Sequence, residues 1–487
     1  MKRFFTLFII LLSINLVDGQ RLVDLELKAS LPATSVSALL GGQVIVPYGV
    51  DLYKVRYMTP DTEGNDHIAS GLLCIPNDPS LTYPLAIYQH GTVAGRDDVP
   101  SNLMGGFQLA MVFSAYGYVV CAPDYVGLGD SPGVHPYVHA ETEASAAIDM
   151  LRVARELDAD DSFDGLALND QVFISGYSQG GHAAMAAHRE LETNLSSEFT
   201  VTATAPMSGP YSISESMIDF TLGDEEYGTV AYLAWSTIGY KRAYPELLKD
   251  FELEDVFKAE YIDDIKEFES EDIDLWELND RLIASLIQNV GASVPKNLMK
   301  EDVLDGILND PTHPFSIALA DNDTYDWAPE APTNLYYCEG DDQVTFENAI
   351  LAQETMINNG STVVNAIRLD TDTAPADHGG CVFPAALSAV TFFGTFQELL
   401  SSNEVVSFDP DSKVYYANNL LNVTISNNRN SDYNLMTIYN QTGLKVWEQN
   451  VQKGLSNYDI SHLNDGMYIV TLRDKNQLYK TEKLIKF

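Results

Sequence analysis

The chain reads as an α/β protein, a mostly parallel sheet covered by helices, followed by a small all-β module. Three observations carry that reading. From Pro84 to Met207 short apolar strands alternate with longer segments of helical spacing, the pattern of βαβ units. The alternation stops near Ser208 and resumes at Thr333, and the stretch between is acid-rich with helical periodicity. After Ser401 the composition turns polar, and short strands with turn signals then follow one another to Phe487.

The first residues, MKRFFTLFIILLSINLVDGQ, combine a short basic start with an apolar run from Phe4 to Ile14. That run is too short to cross a bilayer, and it suits a secretory signal peptide over 1–19, cut near Gly19 or Gln20. A buried N-terminal helix is the competing reading. Strands are expected at Asp51–Tyr57, Ile68–Ile75, Pro84–Gln89 and Tyr118–Ala122, with helices over Phe107–Tyr116 and Glu141–Asp158. A strand in QVFISG runs into a glycine-cornered turn, and Phe199–Met207 supplies the next strand. Between 208 and 332, Phe251, Val256, Phe257, Ile262, Ile265 and Phe268 recur at helical steps among acids, which predicts a helical cap over the sheet's edge. Strands at Thr333–Gly340 and Val363–Leu369 and a helix from Val382 to Leu400 close a domain spanning 20–400. A linker at 401–410 leads to the expected β-sandwich over 411–487.

At 487 residues the chain exceeds one typical core. Its 28 basic and 70 acidic residues leave a net charge of −42, which repels nucleic acid and anionic membranes and otherwise describes a solvated acidic surface. The four cysteines, Cys74, Cys121, Cys338 and Cys381, form no CxxC pair, which argues against a zinc ribbon or a redox dithiol. No metal site is expected.

The chemistry concentrates around VFISGYSQGGHAA. A nucleophile elbow needs a strand, a tight strained turn carrying the serine, and a helix beneath it. Gly176, Ser178, Gly180 and Gly181 stand where that geometry requires them. A glycine flanking a serine is common, so the partners matter. Acyl transfer by Ser178 needs a base, an orienting acid and an oxyanion hole, and on a parallel hydrolase sheet the chain order is Ser, acid, His. YYCEGDDQV places Asp341 and Asp342 just past a strand, and the position of Val344 favours Asp341. APADHGGC places His378, one of nine histidines, in a loop between the last strand and helix. YQHGT ends an earlier strand, so the N–H groups of Gly91 and Thr92, with that of Gln179, are candidates for the oxyanion hole.

The glycine-rich loop from Ala122 to Ala144 lacks the Lys-Ser/Thr of a P-loop and is expected at the site's mouth. His135 and Tyr137 on it are candidate substrate-pocket residues, whereas His182 reads as structural. Cys338 lies three residues before Asp341 and Cys381 three after His378, so convergence of the two loops would bring the sulfurs together as a disulfide. Cys74 and Cys121 are either buried thiols or a second pair.

Together, YQHGT, APDYVGLGDSPGVHPYVHA, GYSQGGHAA, YYCEGDDQV and DHGGC resemble the α/β-hydrolases of the secretory-lipase type, over Val44 to Leu400. The resemblance implies a sheet of about eight strands, a helical cap, and a triad falling on Ser178, Asp341 and His378. Thr345 stands where many relatives carry proline, which leaves Asp342 open as the acid. The tail from Asp411, ending in KLIKF, resembles the C-terminal sorting domain of type IX secretion. That implies the outer-membrane secretion machinery as partner and a secreted or cell-surface location; a carbohydrate-binding or adhesive sandwich is the alternative for this module.

The expected activity is hydrolysis of carboxylic esters, small-molecule or lipid, through an acyl-enzyme without metal or organic cofactor. A hydrolase-fold aminopeptidase using the same triad competes with it, as does an inactive surface-binding protein. Acyl-chain length and oligomeric state are not readable from these residues.

Overall fold

The computed structural model describes residues 20–40, 45–163 and 165–401, and in the C-terminal part 412–417, 420–425, 434–440, 445–464, 466–474 and 477–486. The expected signal peptide lies outside these residues, as does nearly all of the linker.

A ten-stranded sheet organises the larger part of the chain. Its strands are β1 (Leu22–Leu31), β2 (Val50–Pro60), β3 (Asp66–Pro76), β4 (Leu81–Gln89), β5 (Val119–Pro123), β6 (Leu168–Tyr177), β7 (Val201–Met207), β8 (Thr333–Tyr337), β9 (Val364–Arg368) and β10 (Leu400–Ser401). The order is β1-β2-β3-β5-β4-β6-β7-β8-β9, with β10 on β4. From β5 to β9 every neighbour is parallel, while β1, β2, β3 and β10 pair antiparallel. The sheet therefore has more strands than the eight expected. β1 is an edge strand exposed along most of its length and lacks the apolar run that marks buried strands. β10 is two residues long.

Helices cover both faces, as a parallel sheet requires. On one face lie α1 (Ala33–Leu39), α2 (Phe107–Ala115) and, near the C-terminal end of the domain, a helix over His378–Phe393; Val36, Phe113 and Phe393 meet Leu72, Val120 and Phe173 there. On the other lie α3 (Ala140–Asp158) and α4 (Gln179–Thr193), whose Ala147, Leu151, Ala184 and Ala187 pack on Leu73, Ile87 and Ile174. Alternation along each strand sends Cys74 to the first face and Cys121 to the second. These two cysteines are free and buried, and the sheet itself separates their thiols.

Between β7 and β8 come α5 (Ile218–Thr221), α6 (Ala231–Ala243), α7 (Leu253–Val256), α8 (Ile262–Glu269), α9 (Leu275–Val290), α10 (Glu301–Asn309) and α11 (Pro314–Asp321). Val256, Phe257, Ile265 and Leu282 form a core of their own that continues into Val93, Tyr125 and Tyr137 of the loops at the sheet's edge. This is the helical cap. α12 (Glu347–Asn358) follows β8, and α13 (His378–Phe393) is the helix on the first face.

The C-terminal strands form two separate sheets. β11 (Lys413–Ala417), β12 (Leu420–Ile425) and β15 (Gly454–Tyr458) make one; β14 (Lys445–Asn450), β13 (Leu435–Asn440), β16 (Gly466–Asp474) and β17 (Gln477–Lys486) make the other. Alternate residues Leu421, Val423 and Ile425 bury against Met436, Ile438, Val470 and Leu472, which is sandwich packing.

One junction positions everything that follows. α4 starts one residue after β6 ends, and it can do so only because three glycines carry no side chain. A Cβ on Gly180 would lie 1.9 Å from the carbonyl oxygen of Gln89, one on Gly176 2.0 Å from that of Gly180, and one on Gly181 2.6 Å from that of Met207. The obstacles are backbone atoms, which cannot swing aside. Gly180→Ala is expected to destabilise the protein by at least about 1–3 kcal/mol, the usual overpacking cost. Urea denaturation measures this, and a midpoint equal to that of the parent protein would refute the packing account.

Candidate active site

The parallel strands end on one side of the sheet, and the loops leaving β4, β6, β8 and β9 meet there, where open α/β sheets bind ligands. Ser178 occupies the turn between β6 and α4 with φ 61° and ψ −124°. That conformation is strained for a residue with a side chain, at a cost of about 1–3 kcal/mol. The turn is held by the Ser178 N–H, which donates to Met207 O at 3.0 Å, and by the glycine crossings beneath it. Ser178 is buried apart from a 7% residual exposure.

The acid and base loops are tied to each other several times. His378 Nδ1 lies 2.9 and 2.8 Å from the two carboxylate oxygens of Asp341. Asp341 Oδ1 also accepts from the N–H groups of Gln343 and Val344, at 3.0 and 2.9 Å, which fixes the carboxylate's plane. Asp342 does a different job: its Oδ1 accepts the main-chain N–H of His378 at 3.1 Å. The imidazole thus meets Asp341 and the backbone meets Asp342. A carboxylate on Nδ1 makes that nitrogen the N–H donor and leaves Nε2 as the basic atom. No hydrogen bond joins Ser178 Oγ to His378 Nε2 among the described residues. Such contacts often tighten only when a substrate is bound.

His378 does not sit in a loop, as the sequence suggested, but opens α13 four residues earlier than the expected start at Val382. Asp377 is the N-cap, accepting the N–H of Gly380 at 2.7 Å, and the two glycines after His378 disguise the helix start. Tyr177, next to the serine, donates its phenol to His378 O at 2.6 Å, and its ring lies 5.0 Å from the imidazole. Cys338 and Cys381 form a disulfide between the two loops.

Asp370 was not legible as part of the site. From the end of β9 it accepts the N–H groups of Glu339, Gly340 and Ala376 at 3.0, 3.0 and 3.2 Å, bracing both loops at once. Burial would raise its carboxyl, but the guanidinium of Arg368 and these three N–H donors outweigh it and hold the pKa at about 2. Only the turn composition TDTAPAD hinted at a constrained loop.

On the opposite flank, Gly91 lies against the elbow: a Cβ there would be 3.0 Å from Tyr177 O and 3.3 Å from Ser178 Cβ. His90 is buried, and its Nδ1 holds Gly91 O at 2.8 Å. Burial pushes the His90 imidazole's pKa down. The main-chain N–H groups of Thr92 and Gln179 make no hydrogen bond among the described residues. Gln179 is the first residue of α4, where N–H groups lack intrahelical acceptors.

His135 and Tyr137 are buried at the cap junction, against Trp235. His135 Nδ1 donates to Val126 O at 2.8 Å and its Nε2 lies 3.0 Å from Gln179 Nε2, so both ring nitrogens are engaged. Burial pushes its pKa down to about 3. Tyr137 pairs with Thr92 Oγ1 at 2.7 Å and stacks on Trp235 of α6 at 4.7 Å. The cap is further bound to both flanks. The Leu275 N–H donates to Ala94 O at 2.8 Å, and the phenols of Tyr227 and Tyr232 donate to the main chain and side chain of Gln343 at 2.8 and 2.9 Å.

With this geometry in place, the comparisons define the class. The ligand-bound rice cell wall degrading esterase LipA from Xanthomonas oryzae superposes with a TM-score of 0.67 at 27% identity, over 77% of this chain and 98% of that one. Candida antarctica lipase A superposes with a TM-score of 0.54 at 14% identity, over 74% and 77% of the two chains, a likeness of fold alone. A search of curated proteins finds no match. Residues 417–486 match the family of secretion system C-terminal sorting domains. The chain joins a domain of α/β-hydrolase fold to a C-terminal module that matches the secretion sorting domains.

The disulfide closes a loop with a sequence separation of 43. The double variant Cys338→Ser with Cys381→Ser is expected to lose about 2–4 kcal/mol of unfolding free energy, chiefly through a freer unfolded chain. Equilibrium urea unfolding of the two proteins measures it; equal stabilities would contradict that assignment.

Proposed function

We propose that the protein is an exported serine hydrolase acting on carboxylic esters. Ser178 attacks the ester carbonyl while His378 Nε2 takes its proton, and Asp341 holds the tautomer and balances the imidazolium. The N–H groups of Gln179 and Thr92, beside Gly91, stabilise the oxyanion. The base then protonates the leaving alcohol, and a water molecule, activated in turn by His378, releases the acid. The observation that carries this reading is the strained Ser178 turn, whose neighbour Tyr177 bonds the main chain of His378, together with an imidazole whose Nδ1 is gripped by both oxygens of Asp341. The similarity to a cell-wall-degrading esterase supports an ester as the substrate class.

The apolar run at the N-terminus and the match to a sorting domain support export by a cleaved signal peptide and the type IX route, ending outside the cell or on its surface. A cap bonded to both flanks of the site favours soluble esters of short to medium acyl chains over lipid aggregates. A lipase of the interfacial kind needs a lid free to swing.

The test is a panel of p-nitrophenyl esters from acetate to palmitate, beside aminoacyl p-nitroanilides. Ser178→Ala is expected to lower kcat by on the order of 10³-fold or more, and Asp341→Asn by about 10²–10⁴-fold through the wrong imidazole tautomer. Asp342→Asn keeps the Asp341 contact and is expected to lose far less. Persistence of ester hydrolysis in Ser178→Ala would overturn the mechanism, and turnover confined to the anilides would overturn the substrate class.

A further inference from the structure

Below the elbow lies a buried polar cluster that the triad does not use. Glu143 of α3 has no solvent exposure, nor does His182 of α4, and Gln179 is 1% exposed. The two oxygens of the Glu143 carboxylate are divided between two residues on the first turn of α4. Oε1 accepts from the side-chain amide Nε2 of Gln179 at 2.8 Å, and Oε2 meets His182 Nδ1 at 2.7 Å. Gln179 and His182 are three apart, so one carboxylate spans one face of that turn. His182 Nε2 donates to Asn322 O at the end of α11, at 2.8 Å, and the second proton of the Gln179 amide faces His135 Nε2 at 3.0 Å.

The hydrogens follow without ambiguity around Gln179. His135 gives its Nδ1–H to Val126 O, so its Nε2 must accept, and the Gln179 amide must present its NH₂ to both His135 and Glu143. The flipped amide would set its oxygen against a carboxylate. The Gln179 Oε1 that results has no partner, a cost the cluster accepts to keep this orientation. One proton lies between Glu143 Oε2 and His182 Nδ1, so the pair carries no net buried charge.

We propose that Glu143 is a positioning residue for the oxyanion hole. Through the Gln179 side chain and His182 it fixes the rotation of the first peptide of α4, and hence the direction of the Gln179 N–H. The inference rests on the ester-hydrolase reading of Ser178. Nothing in it requires Glu143 to touch substrate.

The test compares Glu143→Ala, Glu143→Gln and Gln179→Met in the full chain. Each is followed by kcat and KM on p-nitrophenyl butyrate and by affinity for an alkyl trifluoromethyl ketone. That ketone adds Ser178 Oγ to its carbonyl carbon; the serine proton passes to His378 and the carbonyl oxygen becomes an oxyanion. Glu143→Ala is expected to lower kcat about 10–100-fold, somewhat less than removal of an oxyanion donor itself. KM should stay within about twofold, and ketone affinity should fall by the same factor as kcat.

Glu143→Gln can accept from Gln179 with its oxygen and donate to neutral His182 with its nitrogen, so it should recover most of the parent kcat. Gln179→Met keeps the main-chain N–H and the side-chain length but loses the amide, and should resemble Glu143→Ala. Parent-like kcat in Glu143→Ala or Gln179→Met would overturn the proposal, as would a change confined to KM. If Glu143→Ala does not fold, Gln179→Met and Glu143→Gln decide by the same criteria. Ester hydrolysis surviving in Ser178→Ala would mark failure of the hydrolase reading instead.

Discussion

The close crossing of α4 over the ends of β4 and β6 is the constraint on which the site depends. With Gly180 pressed on Gln89 O and Gly176 on Gly180 O, the helix begins with no connecting loop, and the whole reversal of the chain falls on Ser178. Its positive φ follows from that lack of space. Strain of about 1–3 kcal/mol at one residue is small beside the apolar burial on both faces of the sheet, so the elbow survives. Gly91 is seated against Tyr177 O and Ser178 Cβ, which means the candidate oxyanion loop takes its position from the same turn.

The acid and base loops are held by a different principle. Asp341 and His378 come from segments far apart in the chain, and three carboxylates share the task of joining them. Asp341 meets the imidazole, Asp342 the backbone of His378, and Asp370 the N–H groups of both loops. The disulfide adds a covalent closure that acts largely on the unfolded chain, whereas the hydrogen bonds orient the folded one. Orientation is what a proton relay needs. An imidazole gripped on Nδ1 by two oxygens has little freedom to turn.

Much of this was legible because it depends on local pattern. The alternation of strand and helix, the elbow glycines and the periodic cap helices each follow from neighbours in sequence. What was not legible depends on residues meeting across the fold. Asp341 and Asp342 are adjacent and chemically equal; the position of Val344 favours Asp341, and the packing of α13 sets Asp341 against the ring and Asp342 against the backbone. Asp370 looked like one acid among 70. The start of α13 was masked by Gly379 and Gly380, which lower helix propensity although Asp377 caps the turn. β1 was hard to see because an exposed edge strand carries no apolar run. His135 and Tyr137, on a glycine-rich loop, looked available to substrate, and burial beneath the cap redirects them to Gln179 and Thr92.

The charge of the chain has to be read in the same way, residue by residue. A balance of −42 invites the idea that some carboxylate faces the site and anchors an amine, as a peptidase of this fold would need. The four acids buried within the described residues are Asp124, Glu143, Asp149 and Asp341, and each is already paired. Asp124 accepts from Ser70 Oγ at 2.5 Å and Ser101 N at 2.9 Å, and Asp149 meets Arg152 at 2.7 Å. Glu143 serves Gln179 and His182, and Asp341 serves His378. A carboxylate withdrawn from water persists only with such partners. Most of the remaining acids sit where water solvates them; Asp370 and Asp323 are instead held by N–H and hydroxyl donors, and Asp370 also by Arg368. The acidity of this protein is thus mostly a property of its surface.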